Sequence, residues 1–244
     1  MVHPLQERLL AIMDRKDHWA WPRFTQPGLS KDQLLVHFRH EYQVYVRDFP
    51  VLLARTLGLG PPAKVRAALA ENIYEEQTGK LSVGVPHPEL FVDMMSGIGI
   101  TRAQLEATEP ALEPEAIAYR AFLDEVSVRD PWPLGAAALT IFVEGSRHER
   151  ADVEGTREHA PIETAIAEHP LVKHYGCPPE KMRLARAHRE VEGDHRDDAW
   201  SMILDYVPES GALFDAVFET VERSLTLWLA YRDGVARAMG LSHD

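Results

Sequence analysis

Apolar residues recur every three or four positions along most of this chain, and no stretch alternates with the period of two of a half-buried strand. The pattern predicts an all-α protein. A short first helix covers about residues 4–15. A second opens at Ser30-Lys31-Asp32-Gln33, a capping-box pattern, and runs to about Leu57. Its stripe is Leu35, Phe38, Tyr42, Tyr45, Phe49 and Leu52, with a kink predicted at Pro50. A third follows Pro61-Pro62 and stops at Gly79. Further starts are predicted near His87, Thr101, Glu113, Trp132 and Pro161, after Pro178-Pro179, and near Ser210. Connections are short and rich in proline and glycine, with no repeat or long linker, so residues 1–244 read as a single domain.

Helical phase separates the charges of the long helix 181-KMRLARAHREVEGDHRDDAWSMILDY-206. With His188 as origin, Glu192 falls at about 40° and His195 at about −20°. Leu184, Ala185, Ala199, Met202, Ile203 and Tyr206 share that face, whereas Glu190, Asp194, Asp197 and Asp198 point away. Burying a carboxylate and two imidazoles is costly unless something pairs with them, and a divalent metal is the simplest partner. The plainer reading is a satisfied core histidine in a highly charged helix.

Two more stretches repeat the theme. In the third helix, Val65, Leu69, Asn72 and Glu76 share a face, so Glu76 is expected inward and Glu75 solvated. His87 follows a turn and opens the next helix, where capping alone would account for it. In 136-AAALTIFVEGSRHER-150, Glu144 shares a face with Ala137, Thr140 and Ile141; His148 is expected at the surface or supporting a ligand. Three carboxylates and three imidazoles suit two iron or manganese ions, while a single zinc would need fewer and no H-E-x-x-H is present.

Composition narrows the classes. A net charge of −12 argues against nucleic acid as a partner. The lone Cys177 excludes an intramolecular disulfide and a cysteine-rich metal site, and is expected as a free structural thiol. The N-terminal stretch carries charges throughout, and no apolar run approaches the ~20 residues of a membrane span, so a soluble, cytoplasmic protein is expected.

The segments 72-NIYEEQTG-79, 87-HPELFVDMMSGIG-99, Glu144 and 175-YGCPPEKMRLARAHREVEGDH-195, with the early Phe38, Tyr42, Tyr45 and Phe49, resemble the haem-oxygenase-like di-iron oxidases. These are related to the pyrroloquinoline-quinone synthase and thiaminase-II families. The resemblance spans most of the chain and implies a haem-oxygenase-like bundle of seven or more helices. It implies Glu76, His87, Glu144, His188, Glu192 and His195 as ligands of two irons, with manganese compatible at one site. Glu192 stands where the family usually has aspartate, and the loop between Glu76 and His87 is longer than in many members. The implied activity is O2 activation for oxidation of a small organic molecule, such as an amine or an amino or carboxylic acid. Tyr42, Tyr45, Arg47 and Tyr206 are candidate pocket residues, with core packing or solvation as their plainer roles. Homodimerisation is compatible with the fold. The alternatives are a metal-free oxidase or hydrolase of the same fold and a non-catalytic helical binding protein. A ferritin-like bundle fits less well, because Glu192-Gly193-Asp194-His195 is the only E-x-x-H whose Glu and His both face inward.

Overall fold

The computed structural model describes residues 3–243, apart from the side chains of residues 191–195. Among the described residues there are helices and no strands. The helices are α1 (Pro4–Met13), α2 (Lys31–Glu41), α3 (Phe49–Gly58), α4 (Ala63–Thr78), α5 (His87–Ser96), α6 (Arg102–Glu106) and α7 (Pro114–Ser127). They continue with α8 (Pro133–Ala136), α9 (Glu149–Val153), α10 (Ile162–Glu168), α11 (Pro170–Tyr175), α12 (Arg183–Leu204) and α13 (Ala212–Ala238). None of them is long and apolar enough to cross a membrane.

Local chemistry explains most boundaries. Ser30 and Gln33 form the reciprocal capping box at the start of α2, and Thr101 with Gln104 repeats it at α6. Gly79 ends α4 with φ 62°, a left-handed conformation that favours glycine. The helix expected from Ser30 to Leu57 is interrupted before its proline. α2 widens into a π-helical turn over Tyr42–Val46, closed by a bond from Arg47 N to Tyr42 O. α3 then begins afresh at Phe49, with Pro50 in its first turn, where a missing N–H costs nothing. A second π segment, Ala137–Val143, follows α8 directly. Neither π segment, nor α9 and α11, was predictable from periodicity. π turns keep an apolar pattern, and the two helices are too short to show one.

The apolar interior falls into two clusters. The larger joins α1, α3, α7 and α13 around residues such as Leu9, Leu52, Phe122 and Val221. The smaller gathers Phe38, Tyr42, Phe91, Met95 and Leu171 under α5 and α11. α12 lies against α4, α5 and the π segment after α8, and α5 lies against the π segment after α2. Those are the elements that carry the acidic and imidazole side chains. Cys177 is a buried free thiol in the smaller cluster, as expected.

Candidate metal centre

These helices enclose a cavity of about 330 Å³ whose lining includes Glu76, His87, Glu144 and His188, with Val46, Phe49, Val143 and Leu184 as apolar walls. Four of the six residues singled out in the sequence therefore face one space. The other two, Glu192 and His195, lie outside the described side chains.

The turn between α4 and α5 builds the first half. A Cβ at Gly79 would come within 2.1 Å of Val85 O, so glycine is required both for the positive φ and for the close return of the chain. That return carries Leu81 N to within 2.7 Å of Glu75 Oε2, and the Ser82 hydroxyl donates to Glu75 as well. Arg183 holds the turn against α12 by donating to Val83 O at 2.9 Å. His87 then enters as the first residue of α5, between two carboxylates. Its Nδ1 is 2.8 Å from Glu76 Oε1 and its Nε2 is 3.1 Å from Glu75 Oε1.

Glu75 corrects an expectation. Helical phase makes it solvated, yet its side chain is fully buried. The reason is tertiary: the returning turn covers the flank of α4 that its own stripe leaves bare. Burial raises the Glu75 pKa, but the Ser82, Leu81 and His87 hydrogen bonds outweigh it and hold the carboxyl below the ordinary value. For His87, burial opposes protonation, and the bonds and charges of Glu76 and Glu75 overcome it, raising the imidazole pKa. With both ring nitrogens facing carboxylates, the imidazolium form, which donates from both, suits this arrangement.

Glu144 comes from the π segment after α8. Its N–H bonds five residues back to Leu139 O at 3.3 Å, which marks the wide turn. Asn72 Nδ2 donates to Glu144 Oε1 at 2.9 Å, while buried Asn72 Oδ1 has no hydrogen-bond partner. The exposed surface of Glu144 opens into the cavity, and protein surrounds it. Desolvation, with the nearby Glu76 charge adding to it, pushes its pKa up to about 8 despite the Asn72 bond. The His188 ring lies 5.2 Å from that of His87 at 67°. On the far wall, Glu149 accepts from Trp200 Nε1 at 3.0 Å and lies 3.5 Å from Arg196.

Among the pocket candidates only Tyr45 lines this cavity. Tyr42 is buried in the smaller cluster, stacked on Phe91 at 5.9 Å. Arg47 is exposed and pairs with Asp48 at 2.8 Å, and Tyr206 lies against Trp132. The widened turn after α2 explains the split: Tyr42 and Tyr45 no longer share the face that an unbroken α-helix would give them. His148 is exposed, and Arg147 Nε donates to its ring at 3.3 Å.

The donor types suit divalent iron or manganese, which take carboxylate oxygens with neutral imidazole, although among the described residues no three such side chains are placed to hold one ion. His87 is already oriented from behind by Glu75, the carboxylate–histidine support common to metal ligands. Asn72 does the same for Glu144.

The chain belongs to the family of iron-containing redox enzymes, whose family profile matches residues 36–229. Its fold is similar to that of a TenA homologue from Pseudomonas syringae pv. tomato str. DC3000. There the TM-score is 0.67 and the identity 18%, over 96% of this chain and 91% of that one. It is also similar to a domain from Shewanella denitrificans OS217 with a heme oxygenase-like fold, at TM-score 0.63 and 16% identity, over 98% and 94% of the two chains. No curated protein sequence matches this one. The fold is haem-oxygenase-like.

Proposed function

We propose that this chain is a non-haem di-iron oxidase or oxygenase. It would hold two irons through Glu76, His87, Glu144, His188, Glu192 and His195 and use O2 to oxidise a small organic molecule. The observation that carries this reading is the convergence of Glu76, His87, Glu144 and His188 on one cavity. Membership of the iron-containing redox enzyme family supports it. Bound reduced iron would supply the electrons that O2 activation requires.

The chain's own residues prepare the site. Glu75 holds His87 by Nε2, which keeps Nδ1 turned towards Glu76. Asn72 fixes one oxygen of Glu144. Val46, Phe49 and Leu184 give the cavity apolar walls that limit water around the reacting groups. His87 is held towards its protonated form and Glu144 has a raised pKa, so a metal bound there would displace protons from them.

A metal-free enzyme of the same fold is the second reading. It is favoured by the closed Glu76–His87–Glu75 hydrogen bonding, which is complete without an ion. Thiol nucleophilic chemistry is not part of that reading, since Cys177 is buried at 1% exposure and points to Met94 O and Met182 Sδ. Anaerobic Fe(II) loading separates the two. The di-iron reading expects about two irons per chain and a transient visible absorbance on adding O2. Absence of iron binding by the wild type, or activity indifferent to chelators, would overturn it.

A further inference from the structure

Past Glu144 and His188 the cavity continues into a second compartment of about 480 Å³. The two spaces share Tyr45, Val143, Glu144 and His188, so the candidate ligands stand at the neck between them. The second compartment is walled by Trp21, Tyr119 and Trp228, and its lining includes the cations Lys16, Arg147 and Arg232.

Lys16 and Arg232 are differently matched. Arg232, 1% exposed, pairs with Glu41 and donates to Tyr45 Oη at 3.1 Å. Its buried Nε–H has no hydrogen-bond partner. Its guanidinium lies 4.7 Å from the Trp21 ring and 4.9 Å from the Trp228 ring. Lys16 Nζ lies 5.7 Å from the same Trp228 ring. It is met by carbonyls that end the π segment, Phe142 O at 2.5 Å, Gly145 O at 2.6 Å and Val143 O at 3.4 Å.

Of the neighbouring carboxylates, Glu144 at the neck accepts from Asn72 and has its pKa raised to about 8, and the others face cations. Glu41 faces Arg232, Glu149 faces Arg196, and Asp152 faces Arg157 and Arg196. Asp17 pairs with Arg147 at 2.9 Å, with both side chains about half exposed. Among the described residues, Lys16 thus hydrogen-bonds only to neutral carbonyl oxygens and sits in no salt bridge. Burial, then the Arg232 charge, brings its pKa down to about 7 against the weaker pull of Glu149 and Glu41.

We propose that this compartment binds the carboxylate of an organic acid with an aromatic or flat apolar body. The acid's charge lies between Lys16 and the free Nε–H of Arg232, and its body stacks among Trp21, Tyr119 and Trp228. Its far end, the part to be oxidised, reaches the neck beside Glu144 and His188. Only that last statement rests on the oxidase reading; the anion site stands on its own.

The test uses metal-free wild-type protein titrated calorimetrically with phenylacetate, phenylacetamide and phenethylamine, which share one body and differ in charge. Phenylacetate is expected to bind at least about tenfold tighter than the amide, with the amine weakest. Lys16→Met is expected to bring the acid to the amide's affinity, and Lys16→Arg to keep the preference. Equal binding of acid and amide, tighter binding of the amine, no binding of the acid, or an undiminished preference in Lys16→Met would overturn the proposal. Should Lys16→Met fail to fold, the wild-type series decides alone. Because no metal is present, loss of the acid preference leaves the iron reading standing, and failure to bind iron leaves the acid preference standing.

Discussion

Replacing Arg232 with methionine removes one member of the buried pair that spans α13 and α2. The Glu41 carboxylate it leaves is inside the protein, with Tyr45 and Tyr231 hydroxyls as its other partners. An uncompensated buried charge costs roughly 3–5 kcal/mol. The guanidinium also lies within 5 Å of the Trp21, Trp228 and Tyr231 rings. Those contacts add about 0.5–1 kcal/mol each. A loss of roughly 4.5–8 kcal/mol follows. For a chain of this length, each kcal/mol lowers Tm by about 2–4 °C, so a fall of at least about 10 °C is expected. Urea unfolding at neutral pH, read by circular dichroism, gives the free energy directly. The double variant Glu41→Leu/Arg232→Met should recover a large part of the loss, because it removes the stranded charge. A loss below about 1 kcal/mol for Arg232→Met, or strict additivity in the double-mutant cycle, would refute the reasoning.

Two further outcomes follow from the site. Glu75→Gln should leave the helical content unchanged and weaken Mn(II) or Fe(II) binding by about 10–100-fold, since it supports His87 from behind; an unchanged affinity would remove Glu75 from that role. In chelator-treated protein, the raised Glu144 pKa makes the folded state bind the extra proton between the ordinary value of 4.5 and about 8. The stabilisation is fully present below 4.5 and is lost as pH rises through about 8. The stability advantage of wild type over Glu144→Gln should therefore shrink steadily from pH 5 to pH 8, and a pH-independent difference would contradict it.

Much of this was legible in the sequence, for identifiable reasons. Helix starts at Ser30 and Thr101, and the stop at Gly79, fall where capping rules put them, while α5 starts at His87 without a side-chain cap and with Pro88 in its first turn. Helical phase also brought Glu76 and Glu144 towards the cavity, because the apolar stripes of their helices continue up to them. What was not legible depends on contacts far apart in sequence. Glu75 is buried by a turn that doubles back, and no wheel of α4 alone contains that turn. The Glu41–Arg232 pair joins residues nearly the whole chain apart. Lys16 looks like an ordinary surface lysine after α1 until its ammonium is found on the carbonyls ending the second π segment. The π turn after α2 shifted Tyr42 away from Tyr45.

The central claim is that six named side chains hold a pair of irons. Crystals of protein loaded anaerobically with Fe(II), measured at the iron absorption edge, test it most directly. The account predicts two anomalous peaks in the cavity, within coordination distance of Glu76, His87, Glu144, His188, Glu192 and His195. No peak in the cavity, a single iron held by other side chains, or His87 Nδ1 still hydrogen-bonded to Glu76 under saturating iron would contradict it.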